Sequence, residues 1–298
     1  MKAATAITRV NFRNVLFLTD FSEPSEAAVP FVSAIARAYG SKTLVLNVLL
    51  PDPLLYSTPT AINLVEEAQR DTAKAAMQQV ASQLSGFPCE TRVEWGPEVW
   101  PIAEEAIKSH GIDLVVVGTH GRTGTEKLLL GSVAEEIFRR SPVPVLTVGP
   151  AVSKGFHGGA RFHNVLFATD FSDHSLAALP YALSLAQENQ ARLILLHVLQ
   201  HNGLKAPSLS QTAIAAAVSK LKELIPEGTD NWCRPETLVE NGESALRILE
   251  IGKKHGADLI VLGVRNSAEH LGSAIHLGRA TAHKVVVDAP CPVLTVRG

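Results

Sequence analysis

The sequence predicts an α/β protein built from two tandem copies of one parallel-sheet domain, and three observations carry that prediction. The segment Asn14-Val-Leu-Phe-Leu-Thr-Asp-Phe-Ser22 returns as Asn164-Val-Leu-Phe-Ala-Thr-Asp-Phe-Ser172, with eight of nine positions identical. Fainter echoes follow in the same order: Asn47-Val48 with His197-Val198, Asp113-Leu114 with Asp258-Leu259, and Pro144-Val-Leu-Thr-Val148 with Pro292-Val-Leu-Thr-Val296. Within each copy, short β-branched runs alternate with amphipathic helical patterns, the order that yields a parallel sheet covered by helices on both faces. Finally, 298 residues suit two domains of about 150 residues each. The expected domains are 1–150 and 151–298, with the glycine-rich stretch Gly149 to Gly159 as the linker.

The elements of the first copy follow from periodicity and punctuation. Asn14 to Leu18 is a buried strand, followed by a helix over about Glu23 to Tyr39 that Gly40 ends. Thr43 to Leu49 is the second strand. After the loop that opens at Pro51-Asp-Pro53, a long amphipathic helix covers about Ala61 to Leu84 and stops at Ser85-Gly86. Then come a strand at Glu90 to Trp95, a helix at Glu98 to Ser109, a strand at Asp113 to Val117, a glycine loop, a helix at Val133 to Arg140 and a strand at Val143 to Val148. In the second copy the helices are expected at about Ser175 to Asn189, Ser208 to Leu224 and Glu243 to His255, with His283 and Lys284 on another. Its further strands are expected at Arg192 to Leu199, Thr237 to Glu240, Asp258 to Leu262 and Val293 to Val296.

Composition removes several classes of function. Apolar residues make up 46% and charged residues 19%, as in a globular protein, and no apolar run approaches the ~18 residues a membrane span needs. The first residues hold no continuous apolar region of the kind a secretory signal has, so a cytoplasmic location is expected. Cys89, Cys233 and Cys291 are scattered and odd in number, which gives neither a disulfide framework nor a metal spacing. A net charge of −2 argues against a nucleic-acid face, because that affinity comes from neutralising many phosphates. A small anion needs only a local site.

The glycine loop offers such a site. Gly118-Thr-His-Gly121-Arg122, Gly131 and Ser132 fall between a strand and a helix, with the spacing Gly-x2-Gly-x9-Gly-Ser. Glycines let backbone N–H groups approach phosphate oxygens, and a helix N-terminus adds unpaired donors and the positive end of its dipole. Ser132 would cap the helix or bond a phosphate. No Gly-Lys-Ser/Thr follows, so the loop is not the P-loop pattern.

This spacing resembles the nucleotide-binding branch of the universal stress protein family, and the resemblance covers both copies. It implies a five-stranded, Rossmann-like domain of the adenine nucleotide alpha hydrolase-like kind. It also implies that the last strands, with Val145 and Val148 opposite Val293 and Val296, join the copies as an intramolecular pseudo-dimer; a further homodimer stays open. The ligand it implies is an adenine nucleotide, ATP with or without Mg. Thr19 and Asp20 would lie near the nucleoside, and the Val48 main chain would meet the adenine edge. Gly118, Gly121, Gly131 and Ser132 would hold phosphates, with Arg122 beside them. Asp20 would equally serve as a helix cap, and His120 and Arg122 would equally point to water.

The second copy departs from the motif. Its counterpart runs from Gly263-Val-Arg-Asn266 to Gly278-Arg279, with the second glycine and the serine lost and the spacing two residues longer. An arginine at a helix start opposes the dipole unless it meets an anion. A vestigial site is therefore expected there, although Asp170 and Val198 persist. His197 is expected to pair with backbone at its strand end, and not to hold a metal. No set of residues suited to ATP turnover stands out, so binding and signalling, with an unknown protein partner, is preferred to a slow ATPase or nucleotidyl-transfer enzyme on the same fold.

Overall fold

The computed structural model describes residues 10–51, 59–119, 130–149, 152, 161–200, 211–265 and 276–298, the side chains of 59–64 and 276–280 excepted. The chain divides into two units, residues 11–160 and residues 161–298, with Val10 belonging to the second. Among the described residues, no helix is long and apolar enough to cross a membrane.

In the first unit the strands are β1 (Asn14–Leu18), β2 (Lys42–Leu49), β3 (Cys89–Trp95), β4 (Leu114–Gly118) and β5 (Val145–Val148). They lie in the order β3-β2-β1-β4-β5, and every pairing is parallel. Leu16 of β1 stands beside Leu44 on one side and Val115 on the other. Consecutive residues Val15, Leu16 and Phe17 are all fully buried, so both faces of the sheet are covered, as a continuous apolar run predicts. The covering helices are α1 (Glu23–Glu26), α2 (Val29–Tyr39), α3 (Pro59–Gln83), α4 (Val99–Ser109) and α5 (Ser132–Arg140).

The second unit repeats this plan. Strands β6 (Asn164–Ala168), β7 (Arg192–Leu199), β8 (Glu236–Asn241), β9 (Leu259–Val264) and β10 (Val293–Arg297) lie in the order β8-β7-β6-β9-β10, again all parallel. Its helices are α6 (Asp173–Leu176), α7 (Leu179–Asn189), α8 (Gln211–Glu223), α9 (Ser244–Lys254) and α10 (His276–Asp288). Asp113 and Asp258 each staple the first strand of their unit. Asp113 Oδ2 accepts from the backbone N–H groups of Arg13 and Asn14 at 2.8 and 2.9 Å, and Asp258 accepts from those of His163 and Asn164 at 2.7 and 3.0 Å.

Two expected elements need correction, and one short element went unexpected. The single helix expected at Glu23 to Tyr39 is two, α1 and α2, and the second unit breaks in the same place. Pro30 and Pro180 cause the break: a proline has no N–H for the carbonyl four residues back, and its ring collides with that carbonyl. The strand expected from Val143 begins at Val145, because the Ser141 hydroxyl donates to the Val143 carbonyl at 2.8 Å and fixes a turn there. A short 3-10 turn at Thr229–Asn231 had no sequence signal. The cysteines are free, and burial pushes the thiols of Cys233 up to about 11 and Cys291 up to about 12. Cys233 and Cys291 are buried, and Cys89 is half-buried.

Candidate functional site

In each unit the chain leaves the central strand toward one edge of the sheet and returns on the other side, so the order reverses between β1 and β4 in the first unit and between β6 and β9 in the second. At such a switch point the connections diverge and a crevice opens at the carboxyl ends of the strands. In the first unit that crevice is a cleft of about 810 Å³. Thr19, Asp20, Val48, Gly118, Gly131 and Ser132, which sequence reading selected from four separate segments, all line it. Gly121 and Arg122 lie outside the described residues, as do His120 and Lys127.

The turn after β1 is built tightly. Phe21 adopts φ +61, a left-handed conformation that a bulky side chain rarely takes, and Phe171 does the same at +65. Two side chains hold each turn in place. Thr19 Oγ1 accepts from Phe21 N–H at 3.1 Å, and Asp20 Oδ1 accepts from Ser22 N–H at 3.1 Å. Asp20 Oδ1 also accepts from the hydroxyls of Ser22 and Ser25 at 2.5 and 2.7 Å. Asp20 therefore has the local structural role that its place before a helix allows, while it also lines the cleft. In the second unit Thr169 and Asp170 repeat the arrangement, with Phe171 N–H at 2.9 Å and Ser172 N–H at 3.0 Å.

Gly131 N–H donates to the Thr119 carbonyl at 2.6 Å, which ties the start of α5 to the residue that follows β4. Gly131 is the N-cap of α5, without a side-chain cap, so Ser132 is the first helical residue and not the cap. The N-terminal turn of α5 faces the cleft through Ser132, Val133 and Ala134. Glu135 near its start and Arg139 and Arg140 near its end suit the helix dipole, and the pairs Arg139–Glu135 (3.8 Å) and Arg140–Glu136 (2.8 Å) brace its exposed side.

Gly118 is required for a reason that the loop pattern did not reveal. A Cβ there would lie 2.8 Å from Ser25 N and 2.9 Å from the Pro24 carbonyl carbon. This closeness lets the turn of Ser22 to Ser25 seat against the end of β4. Residues that sequence reading missed also line the cleft: Phe21, Ser25 and Asn47, and the α3 face of Val65, Ala68, Thr72 and Ala76. The repeated Asp-Phe-Ser and the helical spacing on α3 were the available signals. Neither says which cavity a residue faces.

The second unit has a cleft of about 420 Å³ at the matching place, lined by Thr169, Asp170, His197, Val198, Gly263 and Thr281 among others. The expectation that Arg279 stands at a helix start is corrected: α10 begins at His276, so Gly278 and Arg279 are already within it. From Ala280 onward, backbone N–H groups have helical carbonyls four residues back to bond. The N–H groups of Ala280 and Thr281, which correspond to Val133 and Ala134 at the start of α5, are therefore committed to the helix. His197 pairs with backbone as expected, its Nδ1 lying 2.8 Å from the Thr169 carbonyl oxygen, and its ring packs on Phe171 with centroids 4.4 Å apart.

Burial raises the pKa of Asp170, but the hydroxyl and backbone N–H of Ser172 bond its ionised form and the net shift is downward. A lowered folded-state value adds stability above the ordinary carboxylate range, and that stability is lost as the pH falls through the folded value. Asp170→Asn is therefore expected to flatten the acid side of a urea-midpoint profile taken from about pH 5 to pH 2. Because Asp170 keeps much of its surface in water despite this partial burial, the change will be small.

Comparison with known proteins agrees with this architecture. A family model described as the universal stress protein family matches residues 11–149 and 161–297. The chain is similar to a universal stress protein of Methanocaldococcus jannaschii, 29% identical over 159 residues that span 47% of this chain and 96% of that protein. It is also similar to the universal stress protein YxiE of Bacillus subtilis, 33% identical over 150 residues that span 46% of this chain and 99% of that one. Among solved structures, a universal stress protein of Archaeoglobus fulgidus is alike in fold, with a TM-score of 0.69 at 21% identity, covering 95% of this chain and 98% of that one.

Proposed function

Because the chain belongs to the universal stress protein family, represented twice along its length, we propose that it is an ATP-binding stress-response protein with a competent site in the first unit and a degenerate one in the second. The observation that carries this reading is the convergence of Thr19, Asp20, Val48, Gly118, Gly131 and Ser132 on one cleft at the switch point of a parallel sheet. The cleft volume of about 810 Å³ falls in the range of small-molecule pockets. The α5 N-terminus supplies N–H donors and a positive dipole end for phosphates. Asp20 and Thr19 serve the ribose, and the Val48 main chain serves the base. Gly121 and Arg122 complete the phosphate side. A magnesium ion would come with the nucleotide phosphates and keep several of its waters, and would neutralise phosphate charge there.

Binding is preferred to turnover for a physical reason. Among the described residues lining the cleft, Asp20 is the one carboxylate, and its Oδ1 already accepts three hydrogen bonds. With that one carboxylate tied into the turn and given to the ribose, no second acid–base group lines the cleft among the described residues to orient and deprotonate a water. The bound nucleotide then acts as a signal, read by a partner protein. Mass spectrometry of the gently denatured protein, followed by calorimetric titration with ATP, tests this. An adenine nucleotide should be retained or should bind on titration; a chain that does neither has no such function.

A further inference from the structure

The first cleft runs across the carboxyl ends of four neighbouring strands, so the sheet sets the order of its walls. Gly118 of β4 stands with the start of α5 at one end, Asp20 follows β1, Val48 lies near the end of β2, and Val99 opens α4 after β3. The strand order is β3-β2-β1-β4, and neighbouring strands lie ~4.8 Å apart. Phosphates at the α5 end, ribose at Asp20 and base at Val48 use three of these four positions. The fourth lies one strand spacing beyond the base.

The walls there are apolar. Leu50, directly after β2, lines the cleft and keeps 48% of its surface exposed. A single exposed leucine is ordinary, but this one shares the cleft with half-buried Val99 and with half-buried Val65 on α3. The second unit fills the same place differently. β7 meets β8 in the register in which β2 meets β3, with Leu199 beside Asn241 where Leu49 is beside Trp95. Leu50 therefore corresponds to Gln200, and Val99, the first residue of α4, to Ser244, the first of α9. Gln200 Nε2 donates to Ser244 Oγ at 2.8 Å, so the polar groups at that end of the smaller cleft satisfy each other. Leu50 and Val99 have no such bond to make.

From the order of the walls and this change of pair between the units, we infer that the first cleft has an apolar subsite beyond the base, and that it takes an adenine nucleotide carrying an apolar substituent on its exocyclic amine. The inference rests on the nucleotide reading of that cleft. With the adenine edge against the Val48 main chain, the amine lies on the side of β2. An amine offers two hydrogens, so one can bond a main-chain carbonyl while an alkyl or benzyl group replaces the other. Removing such a group from water against Leu50, Val65 and Val99 favours binding in proportion to the apolar area covered. Unsubstituted adenine leaves that area wet.

Calorimetry on the full chain compares ATP with N6-benzyl-ATP, in wild type and in the double variant Leu50→Gln with Val99→Ser, which carries the pair found in the second unit. Wild type is expected to bind N6-benzyl-ATP about tenfold more tightly than ATP. The double variant should lose that preference and bind the two ligands within twofold of each other. If N6-benzyl-ATP binds wild type no better than ATP, as it would were adenine itself to fill the space beside Leu50, the inference is overturned and the nucleotide site still stands. A preference that survives in the double variant overturns it as well, since the benzyl group would then lie elsewhere. If wild type binds neither ligand, the nucleotide reading falls and takes the inference with it. Should the double variant fail to fold, Leu50→Gln alone, at an exposed position, is put through the same comparison and read in the same way.

Discussion

Gly263→Ala is expected to destabilise the second unit by about 3 kcal/mol or more, even though that unit has lost the second glycine and the serine of the motif. A Cβ at Gly263 would fall on the His174 carbonyl oxygen and lie 2.5 Å from Ser175 Cα. Both are backbone atoms of the turn packed against β9, and backbone cannot rotate away as a flexible side chain can. Gly118→Ala in the first unit meets Ser25 N and the Pro24 carbonyl carbon at 2.8 and 2.9 Å and should cost about 2 kcal/mol. The control is Gly252→Ala in α9, where a Cβ would make only ordinary contacts of 3.5 Å and beyond with side chains. Alanine is the better helix former by roughly 1 kcal/mol, so this variant should be neutral or stabilised. Urea denaturation reads all three as shifts in midpoint at constant slope. A Gly263→Ala protein as stable as wild type would refute the packing argument.

That prediction separates the jobs of the glycines, which the loop pattern presents as equivalent. The first glycine of each copy is needed to seat the turn after the central strand, whatever the cleft holds. It persists as Gly263 in a unit where the second has become Asn266 and the serine has become Arg279. A residue retained for packing gives no information about a ligand. The evidence for a phosphate site in the first unit therefore rests on Gly131 and the exposed first turn of α5, more than on Gly118.

Much of this architecture was legible in the sequence because the signals were local. The strands are continuous apolar runs, and the repeat of Asn14 to Ser22 at Asn164 to Ser172 predicted the second unit from the first. Pro30 and Pro180 were equally visible, yet the helix was read through them, because its apolar periodicity continued on both sides of the break. The start of α10 was misread for a different reason: it was aligned to the first copy, and the copies differ most at that point. Asn47 could not be singled out. Its place in the cleft wall depends on how β2 packs beside β1, and only the packed structure shows that.

The two clefts should differ in occupancy, and calorimetry with ATP should give one equivalent per chain. The second cleft has about 420 Å³ against 810 Å³ in the first. More decisively, α10 starts before the position where α5 starts, so the N–H donors that would meet a phosphate are spent inside the helix. The assignment of the single site to the first unit is tested with paired carboxylates. Asp20→Asn keeps Oδ1 as an acceptor for Ser22 and Ser25, so it should fold normally, but it removes a charge that strengthens bonds from ribose hydroxyls. It should weaken ATP about tenfold, a loss of ~1.4 kcal/mol. Asp170→Asn, its counterpart beside the smaller cleft, should leave the ATP titration unchanged. Two equivalents per chain, or a loss in Asp170→Asn equal to that in Asp20→Asn, would mean that a phosphate can be held without a free helix N-terminus. The degenerate reading of the second unit would then be abandoned, because the committed donors of α10 are its physical basis.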